Sequence, residues 1–238
     1  MRLTSSLLLP LLSTSVPISV HFALYKPDGI LSQFVNNGKL KRHQKMLPAL
    51  PSVHRLDCAK LMACGRLDEM SEGLILLTTC GKMSRAVTYG LGEERKKISK
   101  EYWVEVDGNI TDEAIEKLSG GVAIGEGEKQ YVTGQCEAWR IEEEPSHLTT
   151  SRRRKIRDSR HGPTSWVAVT IKEGKNRQVR RMTAAVGFPT LRLVRVRIGG
   201  VTLEGLESGD IKEVTTDEIL SELGTAAQMA LNDDDTSN

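Results

Sequence analysis

Apolar residues in this chain come in short bursts, each closed by a turn, and that restricts it to a fold built on a sheet. HFALYK (21–26) stops at Pro27-Asp28-Gly29, LILLT (74–78) at Cys80-Gly81, and SWVAVTI (165–171) at an EGKN turn. KEYWVEVDG alternates in character as a half-buried strand does, and LRLVRVRIGGVTL holds a strand and a hairpin turn. Only three stretches carry a helical pattern: residues 82–89, ITDEAIEKLSGG and RQVRRMTAAVG. In the second, Thr111 is the expected N-cap, Asp112 and Glu113 sit in the first turn, and Gly120 follows the last. In the third, Gly187 closes the helix. Residues 36–64 and 142–163 are broken by prolines and charge runs and are expected to be loop. Many strands with a few short helices give an α+β fold with a mixed, largely antiparallel sheet and short flanking helices.

One strand contains a conflict. Leu191 and Leu193 share one parity, Val194, Val196 and Ile198 the other, so a bulge is expected near Leu193–Val194 if one face takes them all.

A net charge of +2 hides a strong asymmetry. Between Lys172 and Arg197 lie eight bases (Lys172, Lys175, Arg177, Arg180, Arg181, Arg192, Arg195, Arg197) against one acid, Glu173. From Glu204 onward there are ten acids and one base, Lys212. A basic centre of this kind points to a polyanionic partner. The four cysteines show neither CxxC spacing nor a pairing with histidines, which argues for reduced intracellular thiols and against zinc. No apolar stretch reaches membrane-spanning length. Residues 1–20 are Ser-rich and acid-free and read as a possible transit peptide or disordered leader, which would place the protein in a chloroplast or mitochondrion; otherwise it is cytoplasmic. Residues 21–224 form the expected folded unit and 225–238 an acidic disordered tail.

Two segments can carry chemistry. Gly65-Arg66-Leu67-Asp68-Glu69-Met70-Ser71-Glu72-Gly73-Leu74 sets three carboxylates and an arginine on a loop just before an apolar strand. An ionised aspartate beside a guanidinium can act as nucleophile or base at neutral pH. Those acids can also do no more than cap and solvate a loop, and Asp68, Glu69 and Glu72 have the ligand type of a magnesium site. The second segment, Gly174-Lys175-Asn176-Arg177-Gln178-Val179-Arg180-Arg181-Met182, places Arg177, Arg180 and Arg181 on one helical face, with Val179, Met182 and Val186 free for the core. This Arg cluster suits phosphate; the plain alternative is a solvated cationic face. Arg192, Arg195 and Arg197 on the next strand extend the footprint, as do the loop bases from Arg152 to Arg160.

Those segments resemble the RsuA/Rlu family of ribosomal RNA pseudouridine synthases. GRLDEMSEGLILLT is similar to the family's GRLD motif. YKPDGILSQF resembles its N-terminal NKP-type strand and turn, with Tyr25 where Asn is usual, and KEYWVEVDG the strand that bears its active-site tyrosine. PTSWVAVTIKEGKNRQVRRMTAAVGFPTLRLVRVRIGGVTLEGLESG resembles the C-terminal motif, and its wording is most similar to the large-subunit synthase E branch, without an S4-type domain in front. The resemblance implies a pseudouridine synthase fold and an rRNA uridine isomerase working without metal or other cofactor, on large-subunit rRNA and as a monomer. It implies that Asp68 is the catalytic aspartate, Tyr102 the tyrosine that stacks on the flipped base, and Arg180 the basic residue that pairs with the aspartate. Arg66 matches the arginine beside it in the loop, and Lys175, Arg177, Arg181, Arg192, Arg195 and Arg197 would bind RNA. Arg55-Leu56-Asp57 repeats the triplet, but only Asp68 is followed by SEGL and the apolar strand. Two other classes stay open: an inactive ribosome-associated RNA-binding protein, and a metal-dependent nuclease that a chelator would silence.

Overall fold

The computed structural model describes residues 19–224 apart from 37, 39, 57–59, 93–94, 126, 128–129 and 150–161. The candidate leader (apart from residues 19 and 20), Asp57, Cys58, the bases from Arg152 to Arg160 and the acidic tail 225–238 lie outside the described residues. The chain enters through β1 (His21–Lys26), turns at Asp28-Gly29, and passes β2 (Ile30–Leu31), β3 (Lys45–Met46), α1 (Pro51–His54) and β4 (Met62–Ala63) to the long strand β5 (Glu72–Thr78). Helix α2 (Gly81–Tyr89), β6 (Lys100–Asp107), α3 (Asp112–Gly120), β7 (Ala123–Ile124), β8 (Tyr131–Val132), β9 (Glu137–Ile141) and α4 (Ser146–Thr149) follow. Then come β10 (Thr164–Ile171), α5 (Gln178–Ala185), β11 (Thr190–Ile198), β12 (Val201–Thr202), β13 (Ile211–Val214) and α6 (Thr216–Leu220). Among the described residues no helix is long and apolar enough to cross a membrane.

The main sheet runs β13–β1–β5–β11–β6–β10–β9, with β12 added to β11 and β4 to β5. Its pairings are antiparallel except where β5 meets β11, and there just two residue pairs are in register, Val194 with Glu72 and Arg195 with Gly73. The α+β expectation is met. So are the strand at His21–Lys26 and the Thr111 cap, whose hydroxyl oxygen accepts from the Ala114 N–H at 3.2 Å. Helix α3 runs one residue further than expected and is capped by Gly121, at φ 96°. The loop 36–64 contains short ordered pieces, α1 and β4, that its sequence does not announce.

Both faces of the sheet are covered. Leu74, Leu76, Val194, Val196 and Ile198 join one apolar cluster with α2 and α6. On the opposite face Tyr102, Val104, Val106, Val167, Val169 and Leu193 pack with α3 and α5, and Leu24, Ile75 and Leu77 form a separate cluster. Each wholly buried leucine or isoleucine contributes about 1.5–3 kcal/mol. This two-sided packing corrects the expected bulge at Leu193–Val194. The ladder is regular from Arg192 to Arg195, and its irregularities fall at Thr190/Arg192 and Arg195/Arg197. Leu193 and Val194 point to opposite faces, and both are buried because each face has its own core.

Candidate active site

The loop Leu67–Ser71 is fixed to the body from every side. Leu67 is buried in the cluster that contains Tyr102. Its carbonyl accepts from the Ser32 hydroxyl at 2.8 Å, and its own N–H donates back to that oxygen at 3.1 Å. The Glu69 carbonyl accepts from the Gly29 N–H at 2.8 Å and from Lys26 Nζ at 3.3 Å. The Ser71 N–H closes a turn on the Asp68 carbonyl at 3.0 Å. Gln44 Nε2 donates to the Glu69 carboxylate at 2.7 Å. Asp68 sits at the crest of this loop with its side chain 34 % exposed, and Arg177 Nη1 lies 3.4 Å from its Oδ2.

Beneath the loop runs one lateral row of the sheet: Lys26, Gly73, Arg195, Tyr102 and Val169 are paired in register across β1, β5, β11, β6 and β10. Residues in one row share a face, with strands about 4.8 Å apart. Tyr102 and Val169 of this row belong to one apolar cluster of that face, and Lys26 and Arg195 set two cations beside it. Gly73 is at φ 104°, and a Cβ there would run into the Arg195 backbone, 2.6 Å from its nitrogen. Only glycine allows β11 this close.

Lys26 is fully buried, and its ammonium donates to the carbonyls of Pro27 (2.8 Å) and Ile30 (2.7 Å) as well as Glu69. Burial pushes it down to about 8, against the opposing pull of the Asp28, Glu72 and Glu69 carboxylates. Arg195 is 3 % exposed, its Nε donates to the Leu74 carbonyl at 2.7 Å, and its guanidinium carbon stands 6.0 Å from the Tyr102 ring centre. That is the outer limit of a cation–π contact. Tyr102 is itself 9 % exposed.

Helix α5 brings the basic segment against this loop. Arg177, its N-cap, is in the left-handed region at φ 52°, which ends the turn and aims the side chain at Asp68. Val179 and Met182 are buried, as their phase requires, and Arg177 and Arg181 stay exposed. Lys175 Nζ lies 4.6 Å from the centre of the Tyr131 ring.

Arg177 Nη1 is 3.4 Å from Asp68, and Arg180 Nη2 donates to the Met70 carbonyl at 3.0 Å and contacts the Ser71 hydroxyl at 3.4 Å. Arg180 therefore holds the loop that carries the aspartate. Several expectations need correction. Arg192 does not face RNA: it is 2 % exposed and makes a two-pronged pair with Glu72, Nε to Oε1 at 2.8 Å and Nη2 to Oε2 at 2.9 Å. Arg195 is buried in the row beneath the loop. Arg197 is held by Glu101 at 3.0 Å and by the Ser99 hydroxyl at 2.9 Å. Arg192 and Arg195 are buried on an interior strand whose faces are both covered, so their charges are spent inside the protein, whereas the Arg197 side chain keeps 28 % of its surface exposed. Arg66 is exposed beside the loop. The three acids of the magnesium reading do not converge: Glu72 is committed to Arg192 and Glu69 to Gln44, and no metal-binding cluster occurs among the described residues.

Lys26 and Ser32 escaped the sequence reading as loop supports. The signal for Lys26 was a lysine at the end of a buried apolar strand; nothing in sequence marked Ser32.

Known proteins agree with this picture. Residues 20–185 match the family model described as RNA pseudouridylate synthase. The chain is 39 % identical over 190 residues to the ribosomal large subunit pseudouridine synthase E of Vibrio vulnificus, covering 80 % of this chain and 73 % of that one. It is also 39 % identical over 186 residues to the enzyme of that name from Xanthomonas campestris, covering 78 % and 90 %. The ribosomal large subunit pseudouridine synthase B of Bacillus subtilis is 30 % identical over 200 residues, covering 84 % and 70 %. A crystal structure of a pseudouridylate synthase superposes with a TM-score of 0.62 at 26 % identity, over 85 % of this chain and 73 % of that one. With a fixed carboxylate loop over a tyrosine-bearing sheet, and relatives of this kind over most of its length, the chain belongs to the RNA pseudouridylate synthase family.

Proposed function

We propose that this chain isomerises a uridine of large-subunit ribosomal RNA to pseudouridine, with Asp68 as the catalytic carboxylate. The observation that carries the proposal is the Asp68 carboxylate itself: exposed by a third, facing Arg177, on a loop whose backbone is tied to β1, to Ser32 and to α5. The names of the most similar relatives supply the substrate class.

The reaction breaks the C1′–N1 bond of the target and forms C1′–C5; a proton is gained at N1 and lost from C5. Asp68 either attacks the ribose or removes a proton from it to let uracil leave. In both cases it must be held immobile, which the tied loop favours. The target must first leave its stack, at a cost of a few kcal/mol, and stacking on Tyr102 offsets about 1–3 kcal/mol of that. Lys175, Arg177 and Arg181, exposed along α5 and the turn before it, are placed for phosphate contacts that hold the strand.

The test is tritium release from C5-labelled uridine in large-subunit rRNA. Wild type is expected to release it, and Asp68→Asn to release none while binding the same RNA. No release by wild type from rRNA or precursor particles, with binding intact, would overturn the proposal in favour of a binding protein.

A further inference from the structure

A second concave surface opens beside the Asp68 loop. It is a cleft of about 1270 Å³ walled by residues 32–35, β4, α2, Gly90–Gly92 and Arg95. That exceeds the roughly 300–1,000 Å³ of a small-molecule pocket, so it has room for more than one nucleotide. Four cations line it, Arg66, Lys82, Arg85 and Arg95, and no carboxylate occurs among the described lining residues. Its walls also show apolar surface. Of the six exposed large apolar side chains among the described residues, three are here: Val35 at 68 %, Tyr89 at 63 % and Met62 at 38 %.

Helix α2 explains the combination. Met83, Ala86 and Val87 bury one side in the core. Lys82, Arg85 and Tyr89, at i, i+3 and i+7, stand together on the other and present two cations and an aromatic ring along one line. The cleft is continuous with the catalytic loop: Gly65 and Arg66 form part of its wall, and Arg66 is two residues, at most roughly 7 Å, from Asp68.

We propose that this cleft binds the unpaired rRNA strand adjoining the target uridine, its cations on phosphates and Tyr89 stacked on a base. The proposal rests on the uridine-isomerase reading and gives it a strand path. The cations along α2 fit a polyanion. Exposed aromatic and aliphatic faces among them fit splayed bases, which a duplex would keep hidden. A strand whose uridine is extruded over Asp68 has to continue past Arg66, and the cleft lies there. An acidic protein partner would use the cations but leave the ring without a base to meet.

The test measures binding of the full chain to a labelled large-subunit rRNA segment over a salt series. Lys82→Ala/Arg85→Ala is expected to make the slope of log K against log salt shallower by about 1.4, two single-strand phosphate contacts' worth. Tyr89→Ala is expected to weaken binding about tenfold, and Tyr89→Phe, which keeps the ring, to restore it. Thermal melts identify any variant that has lost its fold. Slopes and affinities equal to wild type in folded variants would overturn the cleft while leaving the isomerase standing. Conversely, a wild type that forms no pseudouridine, while the cleft variants still lose RNA, would overturn the isomerase and leave the cleft in place.

Discussion

At the scale of single residues, two side chains that touch no substrate set the position of the carboxylate. Lys26 gathers three carbonyl oxygens, one from the catalytic loop, and Arg180 takes the next carbonyl along. Lys26→Met leaves those oxygens without their donor and is expected to cost about 2–3 kcal/mol in denaturant unfolding, with turnover falling alongside. The pH dependence has a definite sign. The folded-state value of Lys26 is lowered to about 8 from an ordinary 10.5, so between those values the unfolded chain holds more protons than the folded one. Stability from this group therefore rises as pH goes from about 8 towards 10.5, and below 8 the buried charge remains as a cost. The unfolding free energy of wild type relative to Lys26→Met should accordingly increase between pH 7.5 and pH 10; a flat difference would mean that Lys26 does not titrate in that range. Arg177 and Arg181 separate the two duties of the basic helix. Arg177→Ala is expected to lower turnover roughly ten- to a hundredfold by unfixing Asp68, whereas Arg181→Ala affects RNA affinity alone, as single-turnover and binding assays would show.

Among the elements, β5 and β11 govern the site. Glu72→Gln removes the buried charge that Arg192 grips with two hydrogen bonds and is expected to cost about 3 kcal/mol, read as a drop in the unfolding midpoint. Gly73→Ala pays the left-handed strain of about 1–3 kcal/mol and also pushes β11 away, so activity should fall further than stability. The strands themselves were legible, because LILLT and SWVAVTI are continuous apolar runs and KEYWVEVD alternates. Asp68 was legible from its position ahead of such a run. The fate of the arginines on β11 was not. In LRLVRVRI an arginine follows three of the five apolar residues, a pattern that suits a strand with one wet face; only the three-dimensional neighbours, Glu72 and Leu74, reveal that Arg192 and Arg195 are inside. The approach of Arg177 to the aspartate was equally hidden, since it depends on the left-handed turn at Arg177 and not on helical phase. Ser32 reaches Leu67 across 35 positions, and no local pattern encodes that.

For the whole molecule, the row from Lys26 to Val169 occupies one face while α2 and α6 pack on the other. Ile219 and Leu220 of α6 are fully buried in that far core. Ile219→Ala should cost about 2–5 kcal/mol in stability yet leave turnover per folded molecule unchanged, which comparison of melting curves with active-site-normalised rates would check. The sheet is also two half-sheets, β13–β1–β5 and β11–β6–β10–β9, joined through two in-register pairs. Backbone hydrogen bonds are few at that joint, so the Glu72–Arg192 pair and the bond from Arg195 to the Leu74 carbonyl serve as its rivets. A joint of this kind breathes before the ladders on either side do. Deuterium should enter the facing amides of β5 and β11 sooner than those between β6 and β10, and an RNA strand lying across both halves should act as a splint that delays it.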